Sequence, residues 1–371
     1  MVHVAQPVDG GVGHYVVDLA AAQRAAGINA VVVCPPGWLA DETRRLGIPW
    51  RRWDARRSPG PSVPGEVRRL RQLLADAPAH VVHLHSSKAG LAGRLALRRQ
   101  VPTVFSPHGW AWQAVDGALA AASERWERFA VRWTDALVCV SAAERDAGKA
   151  HGVRMDPALP GGRGTHVVRT GVDLATFAPA DRASARRLLG LPATAAIAVC
   201  VGRLDQQKGQ ELLVRAWPRV LDEAPSAQLV LVGSGPHRAR LDALVGELGL
   251  APFVRFAGEV APVAPWYAAA DVVAFSSRWG EALPLTPLEA MASGRSLVAT
   301  DVAGVREILG PGCGAIVAAD ADQLAAALLA RLTDPDLAAR EGTAARAWAL
   351  EHHDARRAHD ELLAICRDLA R

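Results

Sequence analysis

The sequence predicts an α/β fold of two doubly wound parallel-sheet domains in tandem. Three observations carry this. Short apolar, β-branched runs recur along the whole chain, and each leads into a glycine-bearing loop. Amphipathic stretches such as HYVVDLAAAQRAAG and GQELLVRAWPRVLDEAP separate the runs. Continuous apolar strands alternating with helices mean a parallel sheet covered on both faces. The length, 371 residues of which half are hydrophobic, exceeds one ordinary core.

The strands are predicted in order. VHVAQPV, NAVVVCP, HVVHLH, PTVFSPH, DALVCVS and THVVRTG form the first series. AIAVCVG, AQLVLVG, FVRFAG, DVVAFSS, RSLVATD and GAIVAAD form the second. The pattern breaks at VDLATFAPADRAS, which places a linker near residues 172 to 190. The first domain is therefore expected over residues 1–172 and the second over 173–350. The final stretch, 351–371, reads as one more helix, expected to return to the first domain. Ligands of such sheets bind beyond the carboxyl ends of the strands. Two such domains facing each other would share a cleft, so the loops after strands are where chemistry is sought.

Composition excludes several classes. Charged residues are 22% and the formal net charge is +4, too little for a polyanion binder as a whole. Five scattered cysteines, odd in number and without a CxxC pair, read as reduced thiols and suit the cytoplasm. The chain enters a strand-like run with no basic leader, and no eighteen-residue apolar stretch is present.

The segment WGEALPLTPLEAMASG, residues 279–294, holds two glutamates, Glu281 and Glu289. Glu281 lies in the loop after the strand DVVAFSS. Thr286 reads as the N-cap of the next helix, with Pro287 at its first position and Glu289 closing a capping box. A carboxylate accepts two vicinal hydroxyls at once, and the N–H groups of Ala282, Leu283 and Leu285 lie before or at the helix start as outward donors. One carboxylate for each polyol suits a nucleotide-sugar. In VGRLDQQKG, Arg203 and Lys208 flank a turn into a helix N-terminus, which already favours anions.

Glu281 and Glu289, with Ala-Met-Ala-x-Gly after them, resemble the paired-glutamate signature of retaining glycosyltransferases. The surrounding text resembles glycosyltransferase family 4, of the two-domain GT-B fold. VGRLDQQKG, LVLVGSGP, VRFAGEV, YAAADVVAFSS and TDVAGVREIL carry the likeness in the second half. GGVGHYVVDLA, VVHLHSSKAGLAGRLAL, PTVFSPHGWAW and VVRTGVDLATFAP carry it in the first. The form HSSKAG is similar to bacterial enzymes building exopolysaccharide or lipid-linked glycans. VVRTGVD departs from the family, with Arg169-Thr170 in place of its usual Asn context.

The resemblance implies a site. Arg203 and Lys208 would hold the donor diphosphate, Glu281 the sugar hydroxyls and Glu289 the ribose. Gly258 and Val260 of the GEV loop would lie against the base through main chain. Gly10 and Gly11 would close over the donor phosphates and the acceptor, and His108 would lie beside the donor sugar. His14, His85 and Lys88 would face the acceptor. His83 reads as structural, and Ser86 or Ser87 as a cap for a helix starting near Ala89.

A dinucleotide-binding reading of GGVGHYV fails, because the third glycine position is Val16 and the second strand ends at Cys34-Pro35-Pro36 without an acid. The strings DAD (320–322) and DPD (334–336) read as caps rather than metal ligands, and His352-His353 are adjacent and diverge. No metal and no cofactor is therefore expected. The expected activity is metal-independent, hexosyltransferase-type transfer of a sugar, UDP-linked by first choice, to a sugar, lipid-linked or small-molecule acceptor. The rivals are an epimerase or hydrolase of the same fold and a non-catalytic two-lobed sugar binder.

Residues 44–71 contain nine arginines with Trp50 and Trp53 interleaved. They read as a solvated face. A second reading is peripheral contact with anionic membrane, the tryptophans at the interface. No nucleic-acid motif is present, so nucleic acid is not an expected partner.

Overall fold

A computed structural model describes residues 1–154, 156, 161–282 and 284–371. The chain divides into two compact units. Unit 1 comprises Met1–Thr170 with Arg356–Arg371, and unit 2 comprises Gly171–Ala355.

Unit 1 holds a seven-stranded parallel sheet. Its strands are β1 (Val2–Ala5), β2 (Val31–Cys34), β3 (Trp50–Arg52), β4 (Val82–His85), β5 (Thr103–Ser106), β6 (Ala136–Cys139) and β7 (Gly164–Val167). Their order is β3-β2-β1-β4-β5-β6-β7, a doubly wound arrangement in which the chain reverses direction beside β1. One core lies between the sheet and helices Gly10–Ala25, Trp38–Arg45 and Ala355–Leu369. The last of these is amphipathic, and it buries Leu362, Ile365, Cys366 and Leu369 against Val16 and Leu19. A second core on the opposite face packs helices Val63–Ala75 and Ser86–Leu97, with Trp53 and Phe105 at its centre.

Sequence reading gave this sheet six strands. It missed β3, which pairs Trp50, Arg51 and Arg52 with Val32, Val33 and Cys34. An edge strand carrying arginines lacks the apolar signature of a central one, and its charges blunt the edge against further pairing.

Unit 2 holds a six-stranded parallel sheet in the order β10-β9-β8-β11-β12-β13. The strands are β8 (Ile197–Val201), β9 (Gln228–Val232), β10 (Val254–Gly258), β11 (Val272–Phe275), β12 (Ser296–Thr300) and β13 (Gly314–Val317). Helices Gln210–Glu223, Arg238–Glu247 and Ala321–Thr333 cover one face around Trp217. Helices Arg182–Leu189, Ala264–Ala269 and Leu285–Ala292 cover the other around Tyr267. The central pair β8 and β11 is the switch point. Its carboxyl ends carry VGRLDQQKG and SSRWGEA, so topology alone brings those loops together.

Candidate active site

In unit 2, Lys208 Nζ lies 2.6 Å from Glu281 Oε1. The same oxygen accepts from Ser277 Oγ at 2.9 Å. Oε2 of Glu281 has no partner among the described residues, so a held carboxylate keeps one oxygen for a ligand. The loops behind this pair are tied to each other. Asp205 Oδ1 accepts from the Lys208 amide at 2.9 Å, Ser276 Oγ donates to the Lys208 carbonyl at 2.8 Å, and Gln207 Nε2 donates to the Gly280 carbonyl at 2.8 Å.

Two glycines permit this closeness. Gly209, the N-cap of helix Gln210–Glu223, has φ +63°, and a Cβ there would strike the Ser276 carbonyl. A Cβ on Gly304 would come within 2.7 Å of the Glu281 carbonyl oxygen and 2.8 Å of that of Ala282. Larger residues at either place would push the loops apart.

Arg203 pairs with Asp205 at 2.5 Å, its side chain half exposed and the carboxylate nearly buried. Glu289 Oε2 accepts from Tyr267 Oη at 2.5 Å. Burial raises the Tyr267 hydroxyl well above the usual phenol range, so it serves as a donor. Gly258 ends β10, and its carbonyl accepts from the Gly233 amide at 2.7 Å. Glu259 accepts from Ser234 at 2.6 Å, and Val260 packs against the core.

In unit 1, the polar groups at the sheet form a chain of rings. Register sets His3 beside His83, and His85 beside Ser106. His83 and His85 are two residues apart on β4 and share a face. His3 Nε2 is 2.8 Å from Gln23 Oε1, and His3 Nδ1 is 3.1 Å from His85 Nε2. His85 Nδ1 is 3.1 Å from His108 Nε2, and His83 Nε2 is 2.8 Å from Ser106 Oγ. Burial depresses His3 and His108 to about 4 and holds His83 and His85 well below the usual imidazole value, so all four rings are neutral. Tyr15 closes edge-on over His108, with ring centroids 4.9 Å apart.

His108 has φ +52°, a costly conformation for a side-chain-bearing residue and one concentrated at functional sites. Glu144 holds the turn that follows it. Its two carboxylate oxygens accept from the Gly109 amide at 2.5 Å and the Val140 amide at 2.8 Å. Burial pushes this carboxyl up to about 7, while the two N–H groups pull it back.

A model of the glycosyl transferase 4-like domain matches residues 10–162, and a model of glycosyl transferases group 1 matches residues 195–334. The alpha-maltose-1-phosphate synthase of Mycolicibacterium smegmatis is 33% identical over 346 residues, covering 84% of this chain and 87% of the relative. D-inositol 3-phosphate glycosyltransferase 1 of Catenulispora acidiphila is 34% identical, covering 80% and 73%. The chain belongs to glycosyltransferase family 4. Its two-sheet architecture is the family's GT-B fold. Sucrose-phosphate synthase of Thermosynechococcus elongatus superimposes with TM-score 0.84 at 25% identity, covering 99% and 98% of the two chains. Anabaena HepE in complex with UDP-glucose superimposes with TM-score 0.84 at 21% identity, covering 98% of each. The chain is thus a glycosyltransferase.

Several expectations change within this family frame. The helix after Glu281 begins at Leu285, with Pro284 at the N-cap, so no Thr286–Glu289 capping box exists. Thr286 Oγ1 instead donates to the Val201 carbonyl at 3.2 Å, and Glu289 turns to Tyr267. Leu283 lies outside the described residues. The helix expected near Ala89 starts at Ser86, and neither serine caps it.

His85 was expected at the acceptor, but it is fully buried and both its ring nitrogens are bonded. Lys88 was expected there too. It is 5% exposed and pairs with the buried Glu66 at 2.6 Å, so its charge is spent inside unit 1. His14 is exposed, its ring tilted against Trp38 with centroids 4.0 Å apart, and Gly10 and Gly11 at the start of the same helix are exposed as well.

Trp53 is 0% exposed and donates to the Glu66 carbonyl, which removes it from any membrane interface. No helix among the described residues is long and apolar enough to cross a membrane. Asp320 and Asp334 cap the helices that follow them, through the amides of Gln323 and Leu337. Sequence reading found no histidine cluster, yet a ring nitrogen from each of His3, His83 and His85 lies within 4.8 Å of the others. The 82-residue separation of His3 and His85 hides the group from any spacing rule.

Proposed function

We propose that the chain transfers a hexose from a nucleoside diphosphate, UDP by preference, to an acceptor hydroxyl with retention at the anomeric carbon and without a metal. One observation carries this reading: the Lys208–Glu281 pair at the carboxyl ends of β8 and β11, beside the N-terminus of helix Gln210–Glu223. That arrangement offers a cation and free amides for a diphosphate within reach of a carboxylate for sugar hydroxyls.

In the proposed reaction the bond from the anomeric carbon to the phosphate oxygen breaks as the acceptor oxygen attacks from the same side. The acceptor proton passes to the departing phosphate oxygen. Lys208, Arg203 and the helix amides stabilise the charge that develops there. Glu281 is not the nucleophile in this scheme. Its Oε1 is occupied by Lys208 and Ser277, and Oε2 accepts from the sugar. Glu289, held by Tyr267, accepts from the ribose, and the Gly258–Val260 segment borders the base. One relative, from Corynebacterium glutamicum, is a GDP-mannose-dependent mannosyltransferase, so the test of this reading includes the donor base.

The test is product analysis with a panel of UDP- and GDP-sugars and several acceptors, comparing wild type with Glu281→Ala and Lys208→Ala. Both variants should lose turnover by about 10²-fold or more while remaining folded. Transfer at the wild-type rate by either one would remove the pair from the chemistry. An inverted product would remove the same-side attack.

A further inference from the structure

Unit 1 holds a buried chain of polar side chains that no function assigned above requires to be continuous. It begins at Gln23, 1% exposed on the inner face of helix Gly10–Ala25, and passes through His3 on β1 and His85 on β4, both 0% exposed. It ends at His108, just beyond β5. The three links are 2.8, 3.1 and 3.1 Å.

We infer that Gln23, His3 and His85 are positioning residues that fix the tautomer of His108, leaving its Nδ1 as a hydrogen-bond acceptor. A neutral imidazole has one N–H and one lone pair. Once one end of the chain is set, every ring in it is set. The Gln23 side-chain oxygen accepts, so His3 carries its proton on Nε2 and offers a lone pair at Nδ1. His85 must then donate through Nε2 and accept at Nδ1. His108 must donate through Nε2, which leaves Nδ1 without a proton. Among the described residues nothing pairs with that nitrogen. Reversing the chain needs the Gln23 amide and three rings to exchange roles together, and Gln23, His3 and His85 are all buried. Burial keeps the rings neutral, which is the condition the chain needs.

The same rings could instead suggest a metal. His3, His83 and His85 bring nitrogens together, and His83 Nδ1 has no partner. The group has no carboxylate or thiolate, however, and a dication sealed there would be uncompensated. His3 Nδ1 and His85 Nε2, moreover, already bond to each other.

The use of this arrangement rests on the proposed sugar transfer and on the place beside the donor sugar that the family resemblance implies for His108, where an acceptor nitrogen takes a hydrogen bond from a sugar hydroxyl. The tautomer itself can be read without substrate. Long-range ¹H–¹⁵N spectra of the full chain with ¹⁵N-labelled histidine, at neutral pH, report which nitrogen of each ring bears the proton. The expected result is Nε2–H for His3, His85 and His108. In Gln23→Met, which removes the terminal acceptor, the His108 signals should shift toward a mixture of tautomers although Gln23 does not touch His108. A wild-type His108 protonated on Nδ1, or already mixed, overturns the inference. So does an unchanged His108 tautomer in a folded Gln23→Met. One equivalent of zinc retained by the purified chain overturns it as well, because the metal would take the nitrogens that the chain uses. If Gln23→Met does not fold, the wild-type spectrum alone decides. A chain that transfers no sugar leaves the spectral result standing, so failure of the proposed function is separable from failure of the relay.

Discussion

Acidification from pH 7 to 5.5 should loosen unit 1 through its buried histidines. His3 and His108 are held near 4, against an ordinary value of 6.5, and His83 and His85 are also held well below it. Above 6.5 such a ring is neutral in both folded and unfolded chain and costs nothing. As the pH falls below 6.5 the unfolded chain takes up a proton that the folded chain refuses, so stability is lost. Over this interval the loss is about 1 kcal/mol for each of His3 and His108, and His83 and His85 act in the same direction. Glu144 works in the opposite sense. Burial lifts its carboxyl to about 7 from an ordinary 4.5, so the folded chain binds that proton first and gains on the order of 1–2 kcal/mol on the same descent. The net expectation is a loss of stability, the four rings outweighing the one carboxyl. Native-state hydrogen exchange on the amides of β1 and β4, corrected for the intrinsic pH dependence of exchange, measures it. An opening free energy that stays level or rises toward pH 5.5 would show that these rings carry protons in the folded chain, and the neutral polar chain would fall with that result.

Two further perturbations separate structural from functional roles. Lys88→Met leaves the Glu66 carboxylate buried without its cation, which should cost about 3–5 kcal/mol in thermal or denaturant unfolding, and Lys88→Met with Glu66→Leu should restore most of it. A stable Lys88→Met whose acceptor KM alone rises would return Lys88 to the acceptor. Tyr267→Phe removes the donor to Glu289 and leaves the packing intact, so donor KM should rise several-fold with a stability loss of about 1 kcal/mol, checked by steady-state kinetics and a melting curve. An unchanged donor KM would mean that Glu289 needs no support to hold its ligand.

The sheets were legible because buried parallel strands announce themselves. Runs such as VVVC, IAVCV and LVLV are apolar at every position, and nothing but a strand covered on both faces uses them so. What failed was local chemistry that tertiary contacts override. Thr286 and Glu289 have the right spacing for a capping box, but Pro284 starts the helix early. Their side chains then find Val201 and Tyr267, neither of them near in sequence. Trp53 and Lys88 read as surface residues because arginines surround the one and a loop precedes the other. Their partner, Glu66, sits inside a helix that the arginine run obscures.

The two sites differ in how far a sequence could foretell them, and the reason is geometric. In unit 2 the chemistry lies in loops at the carboxyl ends of β8 and β11, and a parallel sheet places neighbouring strand ends side by side whatever the sequence between them. Knowing that the strands are central neighbours is enough to bring Lys208 to Glu281 across 73 residues. In unit 1 the polar groups lie within strands, and their meeting depends on register. A shift of one residue between β1 and β4 would turn His3 away from His85 onto the opposite face. Register follows from the packing of the whole sheet rather than from any segment of it. A polar side chain in a strand that is otherwise apolar is therefore the mark to look for: His3, His83 and His85 interrupt VHVA and VHLH. Such interruptions on strands that adjoin find partners across the sheet: His3 meets His85, and His83 meets Ser106.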